Sequence, residues 1–258
     1  MPQTKIVFFD IDGTLIDMQA KKITPKMLET LHRLQDRGIK ICIATGRSPM
    51  VLPKIDGVAF DAYLTFNGSL CYDRKGVIFS NPIPHKDVVR FIQNAAALGR
   101  PVCVSTRDRL AANGADTDLT DYFAIANEDV PIVDNFDAMC EEDIYQLMLG
   151  CRPKDYPALL DGAPGAKIAA WWDRAVDVIP AGGGKGIGIE KMLAYYGLDK
   201  AEALAFGDGN NDREMLQAVG TGVAMENGSP ELKALADEIC GPVYEDGIYH
   251  YCTSKGLI

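Results

Sequence analysis

Four acidic residues follow two short apolar segments of the sequence, and this arrangement could hold a metal ion or transfer protons. The residues are Asp10, Asp12, Asp208 and Asp212. Each apolar segment is predicted to be a buried strand, and open α/β sheets gather their chemistry at the carboxyl ends of strands. Carboxylates that meet there repel one another by about 4 kcal/mol for each pair at about 4 Å and a moderate dielectric constant. A dication relieves this repulsion, and oxygen ligands favour Mg²⁺ or Ca²⁺ over zinc. The alternative from these residues alone is a pair of turns or helix caps rich in Asp and Gly.

Two further segments could bind an anion. Lys185 follows three glycines and precedes a predicted helix, so a flexible backbone and a positive charge lie together. The segment is not a P-loop, because Gly186 follows Lys185 where a P-loop has Ser or Thr. Thr45 and Gly46 end another predicted strand, and a hydroxyl with a following backbone N–H could hold phosphate oxygens. An exposed loop lysine and a simple helix cap are the alternatives for these two segments.

The elements that must position these residues alternate between short apolar strands and helical patterns in the first third of the chain. After about residue 82 strands follow one another with fewer helices, and the first pattern returns after three glycines. The sequence therefore predicts an α/β fold with a Rossmann-like, mainly parallel sheet and helices on both faces. Residues 1–81 and 181–258 would form this domain, and residues 82–180 an inserted α+β domain.

The composition argues against several classes of function. The chain has 258 residues, of which 47% are hydrophobic, and a net charge of −10. Such a surface repels nucleic-acid backbones and anionic lipids, so neither nucleic acid nor a membrane is an expected partner. The seven cysteines are scattered and form no C-x-x-C pair, which argues against a disulfide framework and a zinc site. No apolar stretch approaches the roughly 20 residues of a membrane helix, and no signal-peptide pattern is present, so we expect a cytoplasmic protein.

Four motifs occur in an order that resembles the haloacid dehalogenase-like superfamily, and together they span the predicted parallel-sheet domain. They are Asp10-Ile11-Asp12-Gly13-Thr14, Thr45, Lys185 and Gly207-Asp208-Gly209-Asn210-Asn211-Asp212. The similarity extends to the segments Ala44-Thr45-Gly46-Arg47, Phe66-Asn67-Gly68 and Val223-Ala224-Met225-Glu226-Asn227. The insertion looks like the α/β (C2-type) cap of the Cof-type phosphatases. The resemblance implies a Mg²⁺-dependent phosphatase that hydrolyses small phosphate monoesters, such as sugar phosphates or phosphorylated cofactors.

The resemblance also implies a role for each motif residue. Asp10 would be the nucleophile that forms an aspartyl-phosphate, and Asp12 would protonate the leaving alcohol and then activate water. Mg²⁺ would be held by the side chains of Asp10 and Asp208 and by the backbone carbonyl of Asp12. The residues that would bind the phosphoryl group are Thr45, Gly46, Lys185 and Asn211. Asp212 would orient Lys185 or the waters of the metal.

The inserted cap would close over the site and select the leaving group. Arg47 and Asn67 lie just beyond predicted core strands and could face that leaving group. Trp171 and Trp172 are adjacent, so a strand would send them to opposite faces, and one of them could line the substrate pocket. For all four residues a turn or packing function is the alternative.

Three other functions compete with the phosphatase. A sugar phosphomutase of the same superfamily would return the phosphate to its product. A phospho-aspartate signalling domain would keep Asp10 phosphorylated, although a bare sheet domain would suffice for that and Asp12 is placed to hydrolyse the phosphate. A dehalogenase would need neither Asp12 nor a metal cluster. The expected partner is a small phosphorylated metabolite, and the oligomeric state stays open.

Overall fold

The structure is a computed structural model that describes residues 3–125, 127–170 and 172–258. Its strands are β1 (Ile6–Phe9), β2 (Lys40–Ala44), β3 (Ala62–Thr65), β4 (Leu70–Asp73), β5 (Gly76–Ser80), β6 (Cys103–Ser105), β7 (Leu110–Ala112), β8 (Gln146–Gly150), β9 (Ala166–Ala169), β10 (Ala175–Pro180), β11 (Ala203–Gly207), β12 (Thr221–Met225) and β13 (Glu238–Cys240). Its α-helices are α1 (Pro25–Asp36), α2 (His85–Ala97), α3 (Thr117–Ile125), α4 (Phe136–Met139), α5 (Tyr156–Leu160), α6 (Lys185–Tyr196), α7 (Arg213–Ala218), α8 (Pro230–Leu235) and α9 (Gly247–Ser254).

The described chain divides into two compact units, and the first of them is assembled from distant parts of the sequence. The first unit contains the residues up to Gly46, Pro53–Ser80 and Gly184–Ile258. The second unit contains Arg47–Leu52 and Asn81–Gly183.

The first unit is built on a sheet with the strand order β13-β12-β11-β1-β2-β3-β4-β5. Strands from β13 to β3 pair in parallel, and β4 and β5 are antiparallel. The central strand β1 lies between β11 and β2. Since parallel strands end at the same edge of a sheet, the residues that follow these three strands emerge side by side.

Helices cover both faces of this sheet, because each strand alternates apolar side chains between the faces. On one face Phe8 and Ala205 join the core formed by Met192 of α6 and Met215 of α7. On the other face Phe206 stacks on Phe9 with ring centroids 5.5 Å apart. Tyr251 of α9 meets Phe206 edge-on at 5.4 Å, and α1 lies against α9 and β2. These two layers hold the central strands in place.

The second unit is an α+β unit around a smaller sheet with the order β7-β6-β8-β10-β9. All of its strand pairs are antiparallel. One face packs Val104, Leu147 and Val178 into an apolar core with Phe91 of α2. Helix α3 covers part of the other face. No helix among the described residues has both the length and the apolar character that a membrane crossing requires.

The structure confirms the predicted fold class, a mainly parallel α/β sheet with an additional α+β unit. The antiparallel hairpin of β4 and β5 was not predicted. Its sequence shows little alternation of buried and exposed residues, because β5 is exposed or half-exposed along its length. The short elements α8, β13 and α9 were also missed, since each has fewer residues than a reliable periodic pattern requires.

Candidate active site

Asp10 is the first residue beyond the central strand β1, and the sheet fixes its backbone. Its N–H donates to the carbonyl of Phe206 at 3.0 Å, which continues the parallel ladder between β1 and β11. Its side chain is buried, and Oδ1 accepts a hydrogen bond from Lys185 Nζ at 2.6 Å. The carboxylate is therefore presented at the carboxyl edge of the sheet with one oxygen paired to a cation.

Lys185 is the first residue of α6 and is completely buried. Its ammonium group also donates to Asp212 Oδ1 at 2.5 Å, so it bridges two carboxylates. Burial alone lowers the pKa of Lys185, but the charges and hydrogen bonds of Asp10 and Asp212 raise it above its ordinary value. The lysine therefore stays charged, and a buried cation of this kind occurs only where paired anions stabilise it.

The second acidic segment follows β11 and is held by its own backbone. Asp212 Oδ2 accepts hydrogen bonds from the N–H groups of Asp208 and Gly209, both at 2.9 Å. With Lys185 on its other oxygen, the Asp212 carboxylate is fully enclosed and has no exposed surface. Asp208 is only half-buried. The loop thus keeps Asp212 fixed and leaves Asp208 more open.

The carboxylates of Asp10, Asp208 and Asp212 converge, with one oxygen of each lying within 4.8 Å of the others. Burial, and then the charges of Asp212 and Asp208, raise the pKa of Asp10 well above its usual range, although Lys185 opposes this. Burial and the charge of Asp212 raise the pKa of Asp208 to about 7. These shifts reflect burial first and the mutual repulsion of the carboxylates second. A dication offsets that cost, so the donor set fits Mg²⁺ or another hard divalent cation.

Thr14 is a site residue that the sequence interpretation quoted within the first motif but assigned no function. Its hydroxyl is buried and donates to Asp208 Oδ1 at 2.9 Å. The preceding Gly13 has φ +83°, and a Cβ at this position would overlap the Asp208 carboxylate. The loop after β1 therefore sets the orientation of Asp208. The glycine and hydroxyl that follow Asp12 in the sequence were the available signal.

Asn227 connects the same loop to the C-terminal part of the chain and was also not assigned a function. Its Nδ2 donates to the carbonyl of Gly13 at 2.8 Å, and its Oδ1 accepts from the N–H of Val243 at 2.9 Å. The side-chain amide thereby satisfies two backbone groups of separate segments. Asn227 therefore fixes the loop that carries Asp12. The Asp12 residue is half-buried.

The residues that follow β2 and β3 form the opposite side of the site. Thr45 is buried, and its N–H donates to the Leu64 carbonyl at 2.9 Å. Its own carbonyl accepts from the N–H of Asn67 at 3.0 Å. The side chain of Asn67 accepts from Asn211 Nδ2 at 3.1 Å, and a Cβ on Gly46 would lie 3.1 Å from Asn67 Nδ2. The structure therefore brings Thr45, Gly46 and Asn211 together around Asn67.

The other predicted substrate residues are Arg47, Trp171 and Trp172, and their contact with a leaving group stays a prediction. Arg47 belongs to the second unit, where its Nη1 donates to the Val51 carbonyl at 3.0 Å. Trp171 lies outside the described residues. Trp172 is in the second unit, and the Arg174 guanidinium lies 5.0 Å from its ring centroid. Of the predicted substrate residues in the described part of the chain, Asn67 belongs to the first unit, where it accepts a hydrogen bond from Asn211.

Comparison with known proteins places this arrangement in a family. The family model described as haloacid dehalogenase-like hydrolase matches residues 7–252. The putative phosphatase YkrA of Bacillus subtilis (strain 168) is 35% identical over 258 residues, which cover 99% of this chain and 99% of that protein. The 5-amino-6-(5-phospho-D-ribitylamino)uracil phosphatase YitU of the same organism is 27% identical and covers 95% of each chain. The solved structure of BT4131, a sugar phosphatase of HAD subclass IIB, matches with a TM-score of 0.89 at 28% identity, over 99% of this chain and 100% of that chain.

Proposed function

Because this chain belongs to the haloacid dehalogenase-like hydrolases, we propose that it is a phosphatase that cleaves small phosphate monoesters through an aspartyl-phosphate on Asp10. The observation that carries this proposal is the convergence of Asp10, Asp208 and Asp212 beside the buried ammonium group of Lys185. A nucleophile, a cation and a cluster that fits a dication thus lie within hydrogen-bond or ligand distance of one another.

The proposed metal is Mg²⁺, with the side chains of Asp10 and Asp208 and the backbone carbonyl of Asp12 as its protein ligands. The convergence of the carboxylates and their raised pKa values support this set. Asp212 is a less suitable direct ligand, because three N–H donors already engage its two oxygens. When bound, Mg²⁺ would neutralise the charge that gathers on the phosphoryl oxygens during transfer.

In the first proposed step, a carboxylate oxygen of Asp10 attacks phosphorus and the bond from phosphorus to the ester oxygen breaks. Lys185 holds the other oxygen of Asp10 and orients the carboxylate for this attack. Asp12 delivers its proton to the departing alkoxide, so that a neutral alcohol leaves. Thr45, Gly46 and Asn211 would donate hydrogen bonds to the transferring group, and so would the third N–H of Lys185. These donors matter because the transfer needs positioning more than covalent assistance.

In the second step, the carboxylate of Asp12 accepts a proton from water, and the oxygen of that water attacks the aspartyl-phosphate. The bond between phosphorus and the Asp10 oxygen breaks, which releases inorganic phosphate and restores the carboxylate. The proton that Asp12 lost in the first step returns in the second, so the cycle balances. The half-buried environment of Asp12 leaves this side chain able to reach solvent.

The proposed substrate is a phosphorylated polyol or sugar, or a cofactor that carries such a group. The similar protein YitU is named for a substrate with a phosphorylated ribityl chain, and BT4131 is described as a sugar phosphatase. We further propose that the enzyme acts in the cytoplasm on a small metabolite. The seven cysteines, all unpaired and buried, suit a reducing compartment.

The test is phosphate release from a panel of sugar phosphates, polyol phosphates, flavin mononucleotide and pyridoxal phosphate, with Mg²⁺ and with chelator. Wild type should release phosphate only with the metal, and Asp10→Asn should lose this activity. The exposed Asp36 at the end of α1 provides the control, since Asp36→Asn should retain full activity.

Two other outcomes would overturn the hydrolase. A rearranged sugar phosphate without free phosphate would indicate a phosphomutase. A long-lived phosphorylated Asp10 without turnover would indicate a signalling domain.

A further inference from the structure

The turn that follows β3 has a backbone that is rare for its residue types. Phe66, Asn67 and Gly68 have φ values of +50°, +52° and +92° in succession. Positive φ is disfavoured for a residue with a side chain, and most of all for a bulky one such as Phe66. The fully buried ring of Phe66 shows that packing imposes this conformation. Strained backbone of this kind concentrates at functional sites, so the turn calls for a functional explanation.

This turn contacts each of the three loops that carry the proposed phosphate-binding residues. Its backbone donates to the Thr45 carbonyl through Asn67 N–H at 3.0 Å. At Gly68, a Cβ would overlap the carbonyl of Gly184, the residue before Lys185. The third contact is the side-chain hydrogen bond from Asn211 Nδ2 to Asn67 Oδ1 at 3.1 Å.

The hydrogen bond between the two asparagines joins a buried residue to an exposed one. Asn67 is 4% exposed and is enclosed by the turn and by Gly46, whereas Asn211 is exposed. The Oδ1 of Asn211 turns back over its own loop, where a Cβ on Gly209 would lie 2.5 Å away. The hydrogen bond from Nδ2 to Asn67 fixes the Asn211 amide at that end, which gives its second N–H a defined direction.

We propose that Asn67 is a positioning residue that orients the Asn211 amide toward the transferring phosphoryl group. The inference rests on the proposed phosphatase function, and it assigns Asn67 to phosphate binding in place of the leaving-group contact expected from the sequence. The strained turn holds Asn67 in the one conformation in which it reaches Asn211 while its backbone binds Thr45. Asn67 itself does not touch the reacting atoms in this scheme.

The test compares the effect of Asn211→Ala in three backgrounds: wild type, Asn67→Gly and Asn67→Asp. Glycine adopts the left-handed backbone without strain but lacks the acceptor oxygen. Aspartate tolerates that backbone and keeps the acceptor. In wild type and in the Asn67→Asp background, Asn211→Ala should lower kcat/KM about tenfold, the value of one hydrogen bond to a charged group. In the Asn67→Gly background, which is already about tenfold lower, Asn211→Ala should cost nothing further.

Equal losses from Asn211→Ala in all three backgrounds would overturn the inference, because the two asparagines would then act independently. Asn127 is the matched control, since it is an exposed asparagine of the second unit with φ +60°. Asn127→Gly should change neither kcat/KM nor the effect of Asn211→Ala. Thermal unfolding of each variant separates a loss of folding from a loss of positioning. Should Asn67→Gly fail to fold, Asn67→Ala takes its place, because alanine also lacks the acceptor oxygen. A full tenfold loss from Asn211→Ala in that background would overturn the inference.

A binding measurement distinguishes failure of this inference from failure of the proposed function. Inorganic phosphate binding is measured by calorimetry in the presence of Mg²⁺ on the same variants. If wild type hydrolyses no monoester but the phosphate affinities show the predicted coupling, the function fails and the positioning role stands. If wild type hydrolyses monoesters through Asp10 but the asparagines are uncoupled, the inference fails and the function stands.

Discussion

Lys185 shows how strongly a single buried side chain depends on its partners. Two carboxylates hold its ammonium group, and none of its side chain is exposed. Removing one charge from a buried ionic cluster destabilises a protein more than replacing the whole cluster by apolar residues. The reason is that the remaining buried charges lose their compensation. The residue therefore supports both the charge balance and the fold of the site.

We expect Lys185→Met to lower the free energy of unfolding by about 3–5 kcal/mol at pH 7 in the absence of divalent metal. Methionine fills a similar volume but leaves Asp10 and Asp212 without a cation. Urea denaturation measures the change. Lys86, an exposed lysine of α2, is the control, and Lys86→Met should stay within about 0.5 kcal/mol of wild type. A loss as small as that of the control would contradict the proposed charge balance.

Thr14 provides a test of metal binding that does not depend on turnover. Thr14→Val keeps the shape of the side chain but removes the hydrogen bond to Asp208 Oδ1. Because residues that orient metal ligands typically change metal affinity by about tenfold or more, Mg²⁺ should bind about tenfold more weakly in calorimetry. Thr30→Val removes a buried hydroxyl from α1 and should leave the affinity unchanged. Equal affinities of wild type and Thr14→Val would show that Asp208 needs no such orientation.

At the scale of the elements, helix α1 is anchored through its N-cap. Thr24 Oγ1 accepts from the N–H of Met27 at 3.1 Å and donates to Asp246 Oδ1 at 2.5 Å. Asp246 is in turn the N-cap residue of α9. One hydroxyl thus caps the first helix and ties it to the last.

Thr24→Ala should lower the free energy of unfolding by about 1–2 kcal/mol, since it removes the cap and the contact with Asp246. Thr24→Ser keeps the hydroxyl and should lose much less. Chemical denaturation of the three proteins gives the comparison. Similar losses in the alanine and serine variants would assign the effect to the methyl group of the threonine.

The second unit contains an ionic cluster whose stabilisation depends on pH. Asp118 accepts hydrogen bonds from Arg100, Arg152 and Arg174. The hydrogen bond from Arg152, and then the one from Arg174, lower the pKa of Asp118 although burial opposes this. A carboxyl group with a lower pKa in the folded state stabilises the protein above its unfolded pKa of about 3.9. This contribution disappears as the pH falls through the folded pKa.

Asp118→Asn should therefore lower the free energy of unfolding by about 2 kcal/mol at pH 7, and the difference from wild type should be constant down to about pH 5. Below about pH 4 the difference should shrink, because wild type then loses the same charge. Denaturation curves measured between about pH 3 and about pH 7 test the sign of this difference. A difference that grows toward acid pH would contradict the lowered pKa of Asp118.

The elements also show what could be predicted from the sequence. Asp10 and Asp208 follow apolar runs of four residues or more, so the strands and their ends could be located, and with them the edge of the sheet. The motif that contains Thr14 was visible in the sequence, but the partners of Thr14 and Asn227 could not be predicted, because their hydrogen bonds span 194 and 214 residues of sequence. The left-handed backbone of Phe66 is equally invisible, since packing overrides the local preference of that residue.

At the scale of the whole molecule, the net charge of −10 opposes the approach of a phosphorylated substrate. Local positive charge binds the phosphate once it arrives, but repulsion at long range slows the encounter. Salt screens the long-range field more than the buried contacts.

Raising the concentration of potassium chloride from about 20 to about 150 mM at saturating Mg²⁺ should therefore raise kcat/KM for a dianionic monoester, by about twofold. Initial-rate measurements at both salt concentrations give the two values of kcat/KM. A steep decrease with salt would instead indicate a positive surface that steers the substrate inward.

The pairing of Asp10 with Lys185 has a consequence for synthesis on the ribosome. The two residues are 175 positions apart, and the first unit incorporates strands from both sides of this gap. At the usual elongation rate of about 5–20 residues per second, the nascent carboxylate waits roughly 10–35 seconds for its ammonium partner. Apart from Arg47–Leu52, the second unit is contiguous and emerges in the meantime, so it can fold while the first still lacks its central strand pair. Until then the apolar strand β1 lacks its partner β11, and synthesis of the segment after residue 184 both completes the sheet and brings Lys185 to Asp10.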